Sequence, residues 1–147
     1  MTTAILTAWH RYTPYGSEFY APILDFYLQN MKKYQNEFDM LYILDSNWNI
    51  DGIKDEWGIN NIKIIKTDPS LRYYDAYKKV LPEIKEDLVL FIDNDMVIYR
   101  EGIIKKLFDL LNDYDVVSIY ESIGEYKTDK LNGKNKFTPY FFATRKE

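Results

Sequence analysis

The stretch "LVLFIDNDMVIY", residues 88–99, combines a run of apolar side chains with two carboxylates, Asp93 and Asp95. A continuous apolar run of this kind predicts a strand that is covered on both faces, as in a parallel sheet. Burying two neighbouring carboxylates is very costly unless a cation or hydrogen-bond donors compensate their charge. The stretch therefore raises two questions: which sheet the strand belongs to, and what the two acids bind.

Strand and helix patterns alternate on either side of this stretch. Such alternation predicts a single Rossmann-like α/β domain over residues 1–147, a three-layer α/β/α arrangement with a mainly parallel sheet. Short apolar runs predict strands at 3–8, 40–45, 62–67, 87–93, 115–120 and 139–147. Helical spacing predicts helices over 22–34, from Asp68-Pro69 to about Val80, and over 101–113. The remaining segments are predicted as a loop at 46–60 and a hairpin turn at Asn132-Gly133.

Bulk composition narrows the class of protein. The 147 residues carry a formal net charge of −4 with no long run of one sign, so nothing favours nucleic acid as the main partner. There is no cysteine, which excludes disulfides and thiolate metal sites. The N-terminal "MTTAILTAWHRY" lacks the pattern of a signal peptide, and no apolar run is long enough for a transmembrane helix. We therefore expect a cytoplasmic protein.

The two acids fall where a ligand would bind. In an open α/β sheet, ligands lie outside the carboxyl ends of the strands, and Asp93 and Asp95 come where the predicted fourth strand ends. Two carboxylates separated by one residue can direct oxygens at one hard cation such as Mg²⁺ or Mn²⁺. The alternative is that both aspartates only cap a turn, a position that aspartate favours.

The same stretch resembles the D-x-D strand end of nucleotide-sugar-dependent glycosyltransferases with the GT-A fold. The order of elements is similar as well, with a strand, loop and helix followed by a second strand that ends in an acid, and the resemblance covers about residues 3–145. It implies that Asp93 and Asp95 hold a divalent metal, Mn²⁺ or Mg²⁺, that bridges the diphosphate of a sugar donor. Asn94, between them, joins the donor-binding candidates.

The resemblance also suggests where the rest of the donor binds. The loop after the first strand usually wraps the nucleoside, the acid ending the second strand often contacts the base or ribose, and the helix before the D-x-D strand often offers polar groups. The matching residues are Thr7, Ala8, Trp9 and Arg11 for the loop, Asp45 for the acid, and Arg72, Asp75 and Lys78 for the helix. From the residues alone, Trp9 could equally stack on a base or fill a gap at the strand end.

The implied activity is transfer of a sugar from a nucleotide-diphosphate donor to an unknown hydroxyl acceptor, for which a glycan and a lipid-linked sugar are candidates. The family's catalytic base usually lies beyond the segment that resembles "PYFFATRKE", and no residue here matches it. We therefore expect a donor-binding unit that transfers little by itself. A last strand with an uncovered edge also leads us to expect self-association.

Two other functions remain open. The letters "DNDMV" resemble the D-x-D-x-[TV] motif of haloacid-dehalogenase-type phosphatases, although that motif normally follows the first strand rather than the fourth. The chain could also be a catalytically incomplete nucleotide-binding domain. Metal-dependent binding of a nucleoside diphosphate would separate the phosphatase from both transferase readings.

Overall fold

A computed structural model describes residues 1–10, 17–46, 50, 57–118 and 141–146. Its strands are β1 (Thr3–His10), β2 (Met40–Ser46), β3 (Ile62–Lys66), β4 (Leu88–Ile92), β5 (Val116–Ser118) and β6 (Phe141–Arg145). Its helices are α1 (Ser17–Lys33), α2 (Tyr73–Val80) and α3 (Ile103–Leu110), with 3₁₀ turns at Gln35–Glu37 and Leu81–Glu83. The predicted hairpin and most of the predicted 46–60 loop lie outside the described residues.

The strands form one mixed sheet in the order β3-β2-β1-β4-β6-β5. The first four strands along the chain are mutually parallel, and Ile5 of β1 pairs with Leu41 on one side and Leu90 on the other. Strand β6 runs antiparallel to both β4 and β5. The predicted α/β class with a mainly parallel sheet is therefore confirmed, and β4 lies in the interior of the sheet.

Helices cover both faces of the sheet. On one face, Ile5 and Leu90 belong to a core shared with α1 and α3. On the other face, their neighbours Leu6 and Val89 belong to a core shared with α2. This alternation follows from the two-residue repeat of a strand. All five residues of β4 are buried, so the central strand is apolar on both faces, as its sequence predicts.

The start of α1 differs from the prediction. The helix begins at Ser17 rather than at residue 22, and Pro22 lies inside it. Proline restricts φ to a helical value, so it is favoured in the first turn of a helix. Its presence alone does not show that a helix begins there. The helical spacing of apolar residues that predicts this helix is confirmed, because Leu24, Tyr27, Leu28 and Met31 are buried in the core.

Helix α2 also begins later than the sequence predicts. Asp68 and Pro69 form a turn instead of the first helical turn, and α2 begins at Tyr73. The Asp68 carboxylate accepts hydrogen bonds from the Ser70 amide at 2.9 Å and the Ser70 hydroxyl at 2.7 Å. Both hydrogen bonds lower the pKa of Asp68, and the bond from the Ser70 amide contributes more than the bond from its hydroxyl. The predicted end of the helix at Val80 is confirmed, although Pro82 then continues the chain in a 3₁₀ turn.

Strand β6 does not provide the open edge expected of it. It is hydrogen-bonded to β4 on one side and to β5 on the other. Among the strands that the structure describes, β3 and β5 are the outer ones. Edge pairing through the C-terminal strand is therefore excluded by its neighbours, and self-association itself stays a prediction.

Glu37, in the 3₁₀ turn after α1, caps the N-terminus of α3. One carboxylate oxygen accepts the Gly102 amide at 2.8 Å, and the other accepts the Ile104 amide at 3.1 Å and the Lys105 amide at 3.5 Å. The first amides of a helix lack partners within it, and the helix dipole favours a negative charge there. Gly102 has a φ of 78°, a left-handed conformation that suits glycine.

We predict that Glu37→Ala lowers the free energy of unfolding by about 1–3 kcal/mol, because several amides lose a charged acceptor. Glu83→Ala is the matched control, since Glu83 holds the same third position of the other 3₁₀ turn and is exposed. The control should change stability by less than about 0.5 kcal/mol. Urea unfolding of the three proteins measures both values, and equal losses in the two variants would contradict the capping role.

Candidate functional site

Asp93 and Asp95 leave the sheet at the carboxyl end of β4. The Asp93 carbonyl accepts the Met96 amide at 3.1 Å, so the turn that contains the two acids is closed by the main chain. Asp93 is half-buried and Asp95 is exposed. The backbone bond closes the turn without either carboxylate, and no lysine or arginine among the described residues forms an ion pair with them.

Charge at this turn is uncompensated within the described part of the chain. Burial raises the pKa of Asp93 from its usual 3.8 to about 6, and the negative charge of Asp95 adds to the rise. No lysine or arginine of the described residues forms an ion pair with either carboxylate. A site with this charge and these oxygen donors has the chemistry of a divalent-cation site.

The donor set suits a metal that shares its coordination with a substrate. No group of three or more His, Asp or Glu side chains converges in the described ranges. Mg²⁺ is commonly held by only one or two carboxylates, with substrate phosphates and water in the remaining positions. Asp93 and Asp95 fit that kind of site, and metal binding by them remains a prediction.

The residues matched to the nucleoside loop lie in β1, which continues to His10. Thr7, Ala8 and Trp9 are all buried. The Trp9 ring is fully enclosed and packs edge-to-face on Tyr27, with ring centroids 5.7 Å apart and an interplanar angle of 69°. This placement favours Trp9 as a core residue over Trp9 as a stacking platform. Arg11 lies outside the described residues.

Tyr27 of α1 is a polar residue near the site that sequence reasoning assigned only to the core. Burial raises the pKa of its phenol above the usual 10.0; the neighbouring Thr7 hydroxyl opposes the rise, and the Asp93 charge adds to it. Tyr27 and Asp95 line the same cavity, so this side chain lies beside the candidate metal site. The only sequence signal was a hydroxyl-bearing residue within an apolar helical stripe.

Asp45 near the end of β2 is fully buried, and its described partners belong to the protein itself. One carboxylate oxygen accepts the Lys66 ammonium at 2.5 Å and the Ile50 amide at 3.2 Å. The Asp45 carbonyl accepts the Thr67 amide at 2.9 Å. These contacts tie the ends of β2 and β3 together, and recognition of a nucleoside by Asp45 stays a prediction.

The candidates near α2 are not gathered at one point. Arg72 precedes the helix, Asp75 lies in its first turn and Lys78 in its last. All three are exposed. In a parallel sheet the helix starts at the carboxyl edge and runs away from it, so Arg72 and Asp75 lie nearer the ligand edge than Lys78. Their binding roles also remain predictions.

Asn30 of α1 anchors the chain just after the two acids. Its side-chain amide donates to the Ile98 carbonyl at 2.7 Å, and its side-chain oxygen accepts the Ile98 amide at 2.9 Å. Both polar groups of one backbone residue are thus satisfied by one side chain. This pair fixes the segment 93–98 against α1, a role that no sequence pattern revealed.

No protein-family model matches the chain, and no curated protein matches it in sequence. Solved structures match it in fold. S. aureus TarS residues 1–349 has a TM-score of 0.62 and 16% identity, covering 99% of this chain and 47% of that one. The mannosyltransferase PcManGT from Pyrobaculum calidifontis, in complex with GDP-Man and Mn²⁺, has a TM-score of 0.61 and 14% identity, covering 81% and 35%.

A third similar structure is a nucleotidyltransferase. The 4-diphosphocytidyl-2C-methyl-D-erythritol synthase from Anaerococcus prevotii has a TM-score of 0.64 and 16% identity, covering 98% of this chain and 71% of that one. The fold is therefore the nucleotide-diphospho-sugar transferase-like α/β fold. This chain spans about half the length of the TarS structure.

We predict that the Asp93 carboxylate of the metal-free protein titrates near pH 6, and that Asp95→Asn lowers its pKa because a like charge is removed while burial persists. The raised pKa means that the folded state holds this proton more tightly than the unfolded chain. The contribution of Asp93 to the free energy of unfolding should therefore fall as pH rises from about 4 to about 6. Carbon-13 NMR of the carboxyl group measures the pKa, and an unchanged value in Asp95→Asn would contradict the coupling.

We predict that Asn30→Ala speeds hydrogen exchange at the Ile98 amide by roughly tenfold or more, since that amide loses its acceptor. Gln29→Ala is the control, because exposed Gln29 contacts only Asp25 on the same helix among its described hydrogen bonds. Its effect on Ile98 should be small. Exchange followed by NMR residue by residue tests the anchor, and an unchanged Ile98 rate in Asn30→Ala would refute it.

Proposed function

We propose that this protein binds a nucleotide-diphosphate sugar through a divalent cation, Mn²⁺ or Mg²⁺, held by Asp93 and Asp95, and transfers the sugar to a hydroxyl acceptor. The observation that carries the proposal is the pair of carboxylates at the carboxyl end of β4, with which no lysine or arginine in the described part of the chain forms an ion pair. That edge of an open α/β sheet is where ligands bind. The nucleotide-diphospho-sugar transferase-like fold supports the same chemistry.

The proposed division of labour follows from the reaction. Glycosyl transfer expels a nucleoside diphosphate, and a bound divalent cation would stabilise the charge that develops on it. Asp93 and Asp95 would hold the cation, and Asn94 between them would offer an amide to the donor. Asn30 would keep their turn in place through Ile98. A fixed turn favours a well-defined position for the diphosphate.

The similar structures belong to two classes of enzyme, and both classes support a nucleotide as the ligand. The mannosyltransferase was solved with GDP-Man and Mn²⁺, which is the kind of ligand pair proposed here. The diphosphocytidyl-methylerythritol synthase is an enzyme of a different kind, so a nucleotidyltransferase is a second candidate class. The phosphatase alternative loses support, because the acids follow the fourth strand in this fold rather than the first.

The acceptor and the extent of transfer are separate parts of the proposal. We propose a hydroxyl-bearing acceptor and a cytoplasmic location, and we retain the catalytically incomplete nucleotide-binding domain as the alternative. No helix in the described part of the chain is long and apolar enough to cross a membrane. Transfer also requires an acceptor held in line with the anomeric carbon, whereas donor binding does not.

Calorimetry with UDP, GDP and CDP, each with Mn²⁺ or with EDTA, tests the proposal. We predict that Mn²⁺ strengthens binding of at least one diphosphate, and that Asp95→Asn weakens it by about ten- to a hundredfold in Mn²⁺ but little in EDTA. Asp109→Asn, an exposed aspartate on α3, is the matched control. Equal affinity of wild type and Asp95→Asn in Mn²⁺ would overturn the proposed metal site.

Extending the titration to CTP and nucleotide sugars, with an assay of sugar turnover, separates the classes of enzyme. Binding of CTP without binding of any diphosphate or nucleotide sugar would favour a nucleotidyltransferase. Metal-dependent diphosphate binding without turnover of nucleotide sugars would favour the incomplete domain. Robust transfer to a simple sugar acceptor by the isolated chain would show instead that a catalytic base lies within it.

A further inference from the structure

A cavity of about 400 Å³ lies beside Asp95. One wall comes from α1 and the other from the segment that follows β4. The lining residues are Pro22, Ile23, Phe26, Tyr27 and the run Asn94–Val97. The cavity therefore shares Asp95 with the proposed donor site, so that a ligand in the cavity would lie next to the proposed metal.

The lining of the cavity is almost entirely apolar. Asn94 and Asp95 supply its polar groups, while the rest is aliphatic, aromatic or thioether in character, apart from the phenol of Tyr27. Phe26 is 56% exposed and Val97 is 42% exposed, although both are large apolar side chains. Exposed apolar side chains that meet across a concave surface indicate a binding site more than scattered surface residues do.

The two walls are fixed relative to each other. Asn30, on the same helix as Phe26, holds both polar groups of Ile98, which is the residue after Val97. These two hydrogen bonds hold the segment 94–98 at a fixed distance from α1. A cavity with fixed walls binds a ligand without the entropic cost of ordering them.

We propose that this cavity holds an apolar group, an alkyl chain or an aromatic ring, carried by the hydroxyl acceptor of the transferase. The inference rests on the proposed function for the identity of the ligand as acceptor. Its polar end would face Asn94 and Asp95, and its apolar body would extend between Ile23, Phe26 and Val97. An unsubstituted sugar would leave its hydroxyls facing apolar walls, which is unfavourable.

Primary alkanols from butan-1-ol to octan-1-ol are suitable probes. Chemical shifts of the Ile23, Met96 and Val97 methyl groups report their binding without nucleotide or metal. We expect the dissociation constant to fall about fourfold for each added methylene until the cavity is filled. No dependence on chain length, or shifts confined to methyl groups outside the cavity, would overturn the proposal.

Phe26→Ser and Val97→Ser should each weaken octan-1-ol binding by at least tenfold, and neither change threatens the core because both side chains are partly exposed. Tyr114→Ser is the matched control, since Tyr114 is a large side chain exposed elsewhere, after α3. Equal losses in Phe26→Ser and Tyr114→Ser would refute the cavity as the binding site.

Orientation is tested with Mn²⁺ as a paramagnetic probe. Mn²⁺ at Asp93 and Asp95 should broaden the carbinol protons of bound octan-1-ol more than its terminal methyl protons, and the opposite order would overturn the proposed orientation. If Mn²⁺ does not bind, the proposed function fails while the metal-free titration still reports on the cavity. The two failures are therefore distinguishable.

Discussion

The burial of β4 on both faces and along both edges is the constraint on which the rest of the structure depends. Its residues pack against helices on either side, and its backbone pairs with β1 and β6. The chain then leaves this apolar strand through two aspartates. Because carboxylates cannot be enclosed there without a large cost, the carboxyl end of β4 has to meet solvent or a ligand. Asp93 is half-buried, and its raised pKa reflects the unfavourable free energy of ionising a carboxyl group at that position.

The connection from β4 to α3 is held by side chains of α1 and of the turn that follows it. Asn30 of α1 binds Ile98, and Glu37, in the turn after α1, binds the start of α3 at Gly102 and Ile104. The segment that contains the acids is thus anchored to α1 at its middle and to the following turn at its end. The same helix forms one wall of the adjoining cavity. Position of the acids and shape of the cavity therefore depend on one element.

The sequence was sufficient for features whose signal is local. Apolar runs located the strands, and helical spacing located the buried stripes of α1 and α3. It failed where the outcome depends on partners far along the chain. The interior position of β6 depends on pairing with β4, more than forty residues earlier, and nothing in "PYFFATRKE" specifies it. Asp68-Pro69 shows a different failure, since the same letters suit a helix start and a turn, and the Ser70 hydrogen bonds select the turn.

The candidate site was readable only in part for the same reason. Asp93 and Asp95 stood out because charge within an apolar run is unusual, whereas Asn30 and Glu37 resemble ordinary helix-surface residues. Their partners are backbone groups 65–68 positions away, which carry no side-chain signal.

Asp45 and the pair Asp93 and Asp95, all near the carboxyl edge of the sheet, differ in whether a cationic side chain lies beside them. Asp45 is fully buried, yet Lys66 and the Ile50 amide lie against its carboxylate. Asp93 is less buried, yet its neighbour Asp95 adds like charge and no described lysine or arginine pairs with it. Among the described residues, Asp45 has a cationic partner in Lys66, whereas no lysine or arginine forms an ion pair with Asp93 or Asp95. Since an arrangement of like charges is stabilised most by a counter-ion of higher valence, this contrast supports Asp93 and Asp95, rather than Asp45, as the ligands of the proposed divalent cation.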